Sequence, residues 1–307
     1  MTYDLIIIGG GPAGTAASVY SARKRLNTLF ITAEFGGQSV VSEQIFNWIG
    51  TPSISGQDLA NNLKAHVMAN VGEKLKVKEG QRATSLLKEG ESFKVETDKG
   101  EAFLGKTILI ASGSSRRKLQ AIGAEKFENK GITYCASCDG PLFDGMDVAI
   151  VGGGNAGFES AAQLLAYCNS VTLIIRGDTF RADEITVNKV LQNQKMHVIK
   201  NAEILEVKGD KFVEGIIYKD EKGEQKEVPV AGIFVEIGQI PNTDFVKNIV
   251  PLDQIGRIKI DPWTGKTETP GIWAAGDCTN ILYHQNNIAS GDAVRALEDI
   301  YLAIHAK

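Results

Sequence analysis

The sequence predicts an α/β protein made of two parallel-sheet units of one plan, and three observations carry that prediction. The chain has 307 residues, room for about two domains at roughly 150 residues each. An apolar run closing on glycines occurs twice, as Leu5-Ile6-Ile7-Ile8-Gly9-Gly10-Gly11-Pro12-Ala13-Gly14 and as Val148-Ala149-Ile150-Val151-Gly152-Gly153-Gly154-Asn155-Ala156-Gly157. After each run the same succession follows: a small-residue helical stretch, an apolar strand, an alternating charged stretch, and an apolar strand ending in glycine.

Taken in order, Leu5–Ile8 is the first strand, an Ala-rich helix runs from Gly14 to Arg23, and Thr28–Ile31 is the second strand. Leu75–Lys106 alternates apolar and charged residues, the period-two pattern of antiparallel strands. Ile108–Gly113 then returns as an apolar strand. In the second unit Ala161, Ala162, Leu164 and Leu165 lie at helical spacing, Val171–Ile174 is a strand, His197–Val228 alternates, and Ile233–Gly238 returns. The polar Ser112–Lys118 is the most linker-like segment. Gly271-Ile272-Trp273-Ala274-Ala275-Gly276-Asp277 reads as a buried strand delivering an acid into a cleft, followed by an Ala-rich helix from about Asn287 to His305. The predicted fold is α/β with two Rossmann-like dinucleotide-binding domains, each a parallel sheet with helices and a β-meander.

Composition narrows the function. Hydrophobic residues at 43% and charged residues at 23% are an ordinary globular mix, and the net charge of −4 gives no reason to expect nucleic acid or an anionic membrane as partner. Leu5–Ile8 is far shorter than the ~20 residues that span a bilayer. A secretory signal is not expected, because Asp4 precedes that run, no basic segment leads it, and glycines follow at once. The reading is a soluble, cytoplasmic protein. Four cysteines do not make a disulfide scaffold in a chain of this length.

Both glycine runs match G-x-G-x-x-G between a strand and a helix. Gly9 and Gly152 allow the tight turn, Gly11 and Gly154 let backbone approach a pyrophosphate, and Gly14 and Gly157 let helix pack on strand. The helix N-terminus then presents free N–H groups to the phosphates. One copy alone is also read as a plain glycine turn; two copies in one frame favour two bound dinucleotides. An acid after the second strand would accept a ribose 2′-OH, and arginine suits a 2′-phosphate. In the first unit Glu34 is the candidate. In the second, Arg176 and Arg181 would clamp a 2′-phosphate by charge-assisted bonds, or are solvated surface arginines. Position 175 carries no acid, which argues against NADH, while Asp178 keeps that option open.

Cys135-Ala136-Ser137-Cys138-Asp139-Gly140 lies between the returning strand of the first unit and the glycine run of the second. Cysteines at i and i+3 share one face of a turn at disulfide distance, and C-x-x-C geometry lowers a thiolate pKa. A zinc site would need further ligands, yet His66, His197, His284 and His305 are scattered and no second C-x-x-C exists, so no metal is expected. Asp139 either shuttles protons to the thiolates or caps a turn. A nicotinamide does not conveniently pass two electrons straight to a disulfide, whereas a flavin takes hydride and hands electrons to sulfur. The residues thus read as a flavoprotein that uses a nicotinamide to reduce a disulfide.

With Gly9–Gly14, Gly36-Gly37-Gln38, Asn47-Trp48-Ile49-Gly50, Ala111-Ser112-Gly113, Cys135–Gly140, Gly152–Gly157, Phe180-Arg181-Ala182 and Ala274–Asp277, the chain resembles the low-molecular-weight thioredoxin reductases along nearly its whole length. That resemblance implies FAD in a discontinuous domain of residues 1–115 and 245–307, and an NAD(P)H domain of residues 116–244 carrying the dithiol, with hinges near Ser115 and Thr243. Gly9, Gly11, Gly14, Gln38, Asn47, Asp277 and Gln285 match FAD contacts, and the matching segments add Pro12, Ala13, Gly37, Ala111, Gly113 and Gly276. On the nicotinamide side they cover Gly152, Gly154, Asn155, Ala156, Gly157 and Arg181. Cys138 is implied as the electron-transfer thiol, Cys135 as the interchange thiol and Asp139 as the acid/base. The family implies a cytoplasmic homodimer fed by NADPH and serving a thioredoxin-like disulfide protein.

Ile175-Arg176-Gly177 stands where NADPH-dependent members carry His-Arg-Arg, and Tyr283-His284-Gln285 where they carry Tyr-Arg-Gln. Gly56–Ala60, Gly232–Gly238, Pro241-Asn242-Thr243 and Gly276–Thr279 are closer to the reductase component of alkyl hydroperoxide reductase. That relative has an additional N-terminal thioredoxin-like domain, so the resemblance implies a separate disulfide carrier here. Two other readings stand beside the first: a reductase fed by NADH or a ferredoxin-like donor for a peroxiredoxin- or glutaredoxin-like carrier, and a flavin redox sensor without turnover.

Overall fold

The fold is a computed structural model that describes residues 2–42 and 44–305. The chain forms two compact units, Met1–Ser115 with Ile240–Lys307, and Arg116–Gln239.

In the first unit, β1 (Thr2–Ile8), α1 (Pro12–Arg23), β2 (Thr28–Thr32), α2 (Gly56–Met68), β3 (Leu75–Glu79), β4 (Ala83–Glu89), β5 (Ser92–Thr97) and β6 (Ala102–Ile110) precede the crossing. They form one sheet in the order β3-β2-β1-β6-β5-β4. The strands β1, β2 and β3 and the β1–β6 pair are parallel, while β4, β5 and β6 form an antiparallel meander. The start of β6 pairs with β5, and its end, Ile108–Ile110, pairs in parallel with Ile272–Ala274. Leu5, Ile6, Ile7 and Ile8 are all buried, as a central strand covered on both faces requires. Successive side chains take opposite faces. Leu5 and Ile7 pack on α1 and the C-terminal helix, whereas Ile6 and Ile8 pack with Leu86, Phe93 and Val95 of the meander.

The chain crosses through β7 (Ser114–Arg116), which pairs with a later strand, Gln239–Pro241, as a two-stranded ribbon. The second unit contains β8 (Ile132–Thr133), α3 (Ala136–Asp139), β9 (Asp147–Val151), α4 (Asn155–Leu164), β10 (Ser170–Ile174), α5 (Glu184–Leu191), β11 (Met196–Ile199), β12 (Glu203–Gly209), β13 (Val213–Lys219), β14 (Gln225–Pro229) and β15 (Gly232–Val235). Its five-stranded sheet has the order β11-β10-β9-β15-β8, and β12-β13-β14 form a separate three-stranded sheet. The layering repeats that of the first unit. Val148 and Ile150 face α4 and Phe158; Ala149 and Val151 face the meander residues Val207, Val213 and Ile216. Asp183 caps α5, its carboxylate accepting from Thr186 N. After β16 (Gln239–Pro241), the chain rejoins the first sheet at β17 (Ile272–Ala274) and ends in α6 (Asn286–His305).

One expectation needs correction. The alternating stretches 75–106 and 197–228 are not antiparallel throughout, because each opens with a parallel edge strand, β3 on β2 and β11 on β10. An edge strand with one open side has the same apolar–polar alternation as a meander strand, so the pattern does not separate them. The chain crosses back after Gln239, and Thr243 Oγ1 donates to Gly256 O in the first unit at 2.6 Å.

Candidate functional site

The two glycine turns have one geometry. Gly9 and Gly152 take φ of +118° and +125°, a region closed to most L-residues. A Cβ on Gly9 would lie 2.1 Å from Ala111 O, and one on Gly152 would lie 2.2 Å from Glu236 O. A Cβ on Gly14 would meet Gly9 O at 1.7 Å, and one on Gly157 would meet Gly152 O at 2.1 Å. Helix and turn therefore touch with no room for a side chain. Gly11 and Gly154 differ, since nothing lies within 4 Å of a Cβ built there. Both stand as the extended N-cap of a helix, α1 or α4, with no side-chain cap. Pro12 begins α1, where its missing N–H costs nothing. The open side of each turn is a cradle into which free backbone N–H groups point, and a dinucleotide pyrophosphate fits it. In the first turn of α1, Thr15 Oγ1 is buried without a hydrogen-bond partner.

Of the residues expected in the first unit, Glu34, Gly37, Ala111 and Gly276 stand against the glycine turn. Gly37 sits against Gly11, a Cβ on it lying 3.4 Å from Gly11 Cα, and Gly276 sits against Ala13 and Ala289, each 3.3 Å from its Cβ position. The backbone of Glu34 closes on Gly10, while its side chain is exposed. Gln38 Nε2 donates to Ser114 Oγ at 3.0 Å, beside Gly113 (φ +65°). Asn47 Nδ2 donates to Gln285 Oε1 at 3.2 Å, and Asn287 Nδ2 donates to Asn47 O at 2.7 Å. Asp277 is half-buried, with His284 Nδ1 3.4 Å from its Oδ1.

In the second unit, Arg181 N donates to Gly153 O at 2.8 Å, and Asn155 Oδ1 accepts from Asp183 N at 2.8 Å, closing the loop after β10 over the turn. Arg176 and Arg181 are exposed on that loop. Ala156 lies in the first turn of α4.

The dithiol belongs to the same unit. Cys135 and Cys138 form a disulfide with Cα atoms 5.3 Å apart. Cys135 is the N-cap of α3, and its carbonyl accepts from Cys138 N and Asp139 N at 3.2 and 3.0 Å. The helix α4 braces this turn, Gln163 Nε2 donating to Ala136 O at 3.2 Å and Ser137 Oγ donating to Gln163 Oε1 at 3.0 Å. One helix thus opens on the glycine cradle and holds the disulfide further along.

Asp139 caps no helix turn: its carboxylate accepts from Thr133 Oγ1 instead. Burial pushes its pKa above the ordinary value, while the Thr133 hydrogen bond and the charge of Arg116 pull in the opposite direction. The guanidinium carbon of Arg116 lies 5.4 Å from the centre of the Tyr134 ring. The hydroxyl of Tyr134 donates to Glu128, and burial with that contact raises its pKa.

The sequence reading did not single out Glu236. Its carboxylate accepts from Ser160 Oγ at 2.7 Å, and burial pushes its pKa up to about 7, against the opposing effects of Ser160 and Arg116. The signal lay in the duplication itself, because Glu236 backs Gly152 as Ala111 backs Gly9.

A family model for pyridine nucleotide-disulphide oxidoreductases matches residues 3–296. Among curated proteins, the chain is 39% identical over 295 residues to an NADH dehydrogenase of Bacillus subtilis (strain 168), covering 96% of this chain and 57% of that one. It is 38% identical over 296 residues to an alkyl hydroperoxide reductase subunit of Escherichia coli (strain K12), again covering 96% and 57%. The chain thus spans little more than half the length of these relatives. Among solved structures, thioredoxin reductase from Streptococcus pyogenes MGAS5005 superposes with a TM-score of 0.90 at 30% identity, covering 100% of this chain and 99% of that one. Thioredoxin reductase from Giardia duodenalis gives 0.92 at 29%, covering 98% and 99%. Among the described residues no helix is long and apolar enough to cross a membrane.

Proposed function

Because the chain belongs to the pyridine nucleotide-disulphide oxidoreductase family, we propose that it is an FAD-dependent thioredoxin-disulfide reductase fed by NADPH. The observation that carries this reading is the Cys135–Cys138 disulfide braced by α4, the helix that opens on a dinucleotide cradle. FAD would be held by the first unit, at Gly9, Gly11, Pro12, Ala13, Gly14, Glu34, Gly37, Gln38, Asn47, Ala111, Gly113, Gly276, Asp277 and Gln285. The nicotinamide dinucleotide would be held by the second, at Gly152, Gly154, Asn155, Ala156, Gly157, Arg176 and Arg181. When bound, the flavin supplies the hydride-to-electron conversion that lets a nicotinamide reduce sulfur.

The remaining chemistry belongs to side chains of this chain. In the reduced pair, the Cys135 thiolate attacks one sulfur of the partner's disulfide, forming a mixed disulfide and releasing the partner's other sulfur as thiolate. Cys138 then displaces the second partner sulfur and re-forms the Cys135–Cys138 bond. Asp139 supplies the proton that the departing thiolate takes up, and its burial favours the protonated form.

A second reading has its own support. The curated relatives are an NADH dehydrogenase and an alkyl hydroperoxide reductase subunit, which favours NADH as donor and a peroxiredoxin-type partner. Anaerobic titration separates the two. On the first reading NADPH bleaches the flavin at low concentration, and added thioredoxin restores it. Bleaching by NADH with reoxidation only by a peroxiredoxin-type protein supports the second. Inertness to both nicotinamides overturns both. The likeness to thioredoxin reductases also supports a homodimer, which sedimentation measures directly.

A further inference from the structure

We propose that Lys200 is a 2′-phosphate recognition residue of the second unit, acting with Arg176 and Arg181 to favour NADPH over NADH. The inference rests on the reading that this unit holds a nicotinamide dinucleotide. No motif marks Lys200, and only the packing brings it to the site.

Lys200 directly follows β11, the edge strand beside β10. The loops leaving these strands are laced together by backbone hydrogen bonds: Ile175 N to Ile199 O at 2.9 Å, Asn201 N to Gly177 O at 2.9 Å and Ala202 N to Ile175 O at 3.0 Å. Lys200 therefore stands beside the segment that carries Arg176. Its Nζ lies 4.4 Å above the centre of the Phe180 ring, a cation–π contact that orients the ammonium without neutralising it. Phe180 is itself fixed, edge-on to Phe158 of α4 at 4.9 Å and 3.5 Å from the Cβ position of Gly153. The next residue, Arg181, is tied by its N–H to Gly153 O. The ammonium is thus held over the loop that closes on the glycine cradle.

The charges around it agree. Lys200, Arg176 and Arg181 are exposed, and none has an ion-pair partner among the described residues. Of the acids on this loop, Asp183 is committed to capping α5 through Thr186, and Asp178 is exposed. Ile175, where an acid reading a 2′-OH is missing, is buried at 5% exposure. A dianionic phosphate offers three cations what a neutral hydroxyl does not, so their effect falls on NADPH alone.

The test uses the holoprotein with 2′,5′-ADP and 5′-AMP as probes, titrated calorimetrically against wild type, Lys200→Ala and Lys200→Arg. Wild type is expected to bind 2′,5′-ADP more tightly, by a margin that narrows as salt is raised. Lys200→Ala should weaken 2′,5′-ADP by roughly ten- to a hundredfold and leave 5′-AMP unchanged, and Lys200→Arg should retain the preference. Equal weakening of both probes, or no change in either, overturns the role of Lys200. Failure of wild type to bind either probe overturns the underlying assignment of the unit, and the proposal with it.

Discussion

Ser160 Oγ donates to a carboxylate oxygen of Glu236 at 2.7 Å, joining α4 to the end of the strand that backs the second glycine turn. Burial holds the pKa of Glu236 at about 7, above the ordinary value of 4.5. The native state therefore keeps a proton that the unfolded chain loses above pH 4.5. Stability falls as pH rises from that point through about 7 and is level beyond it. Glu236→Gln should remove this dependence and stabilise the protein at pH 8 by up to about 3 kcal/mol. Denaturant unfolding at pH 5 and pH 8 measures it; an equal gain at both values would refute the assignment.

The glycines of each turn should separate by role. At Gly14 a Cβ would overlap Gly9 O, so Gly14→Ala should cost about 2–4 kcal/mol of stability. Gly11 has open space, and Gly11→Ala should stay within about 1 kcal/mol of wild type while losing flavin on gel filtration. Gly154→Ala should keep flavin and lose the response to nicotinamide. Retention of both cofactors by Gly11→Ala and Gly154→Ala would show that the cradles hold no dinucleotide.

Asp139 and its neighbours set a pH profile. Thr133 and Arg116 both hold its pKa down against burial. Thr133→Val or Arg116→Ala should each raise the pKa of the limb of the disulfide-reduction profile that reports loss of the proton from Asp139. Asp139→Asn should slow that step by about 10²–10⁴-fold and leave flavin reduction by nicotinamide intact. Stopped-flow absorbance separates the two half-reactions; equal slowing of both would remove Asp139 from the acid/base role.

Burial pushes the thiols of Cys168 and Cys278 up to about 11. At pH 8 both are almost wholly protonated and shielded, and the thiolate is the reactive form. Iodoacetamide at pH 8 after mild reduction should label Cys135 and Cys138 and spare the other two until denaturant is added. Peptide mass mapping reads the result, and rapid native-state labelling of Cys278 would contradict its burial.

Periodicity and glycine spacing were enough to reveal the duplicated strand–turn–helix plan, because each copy is local in sequence. Leu5–Ile8 and Val148–Val151 are apolar throughout since both faces of each strand are covered. The i, i+3 spacing of Cys135 and Cys138 likewise carries their proximity within itself. Other features depend on partners far along the chain. Whether Leu75–Glu79 and Met196–Ile199 join parallel neighbours or a meander follows from sheet order, which alternation along one strand does not encode. Glu236 behind Gly152, Gln163 on the disulfide turn and Lys200 over Phe180 are likewise products of packing. The periodicity of a segment records which face is buried, and only the assembled layers decide what lies against that face. Burial and neighbouring charge in turn set the protonation of Asp139 and Glu236, so the chemistry of these acids was decided by tertiary structure.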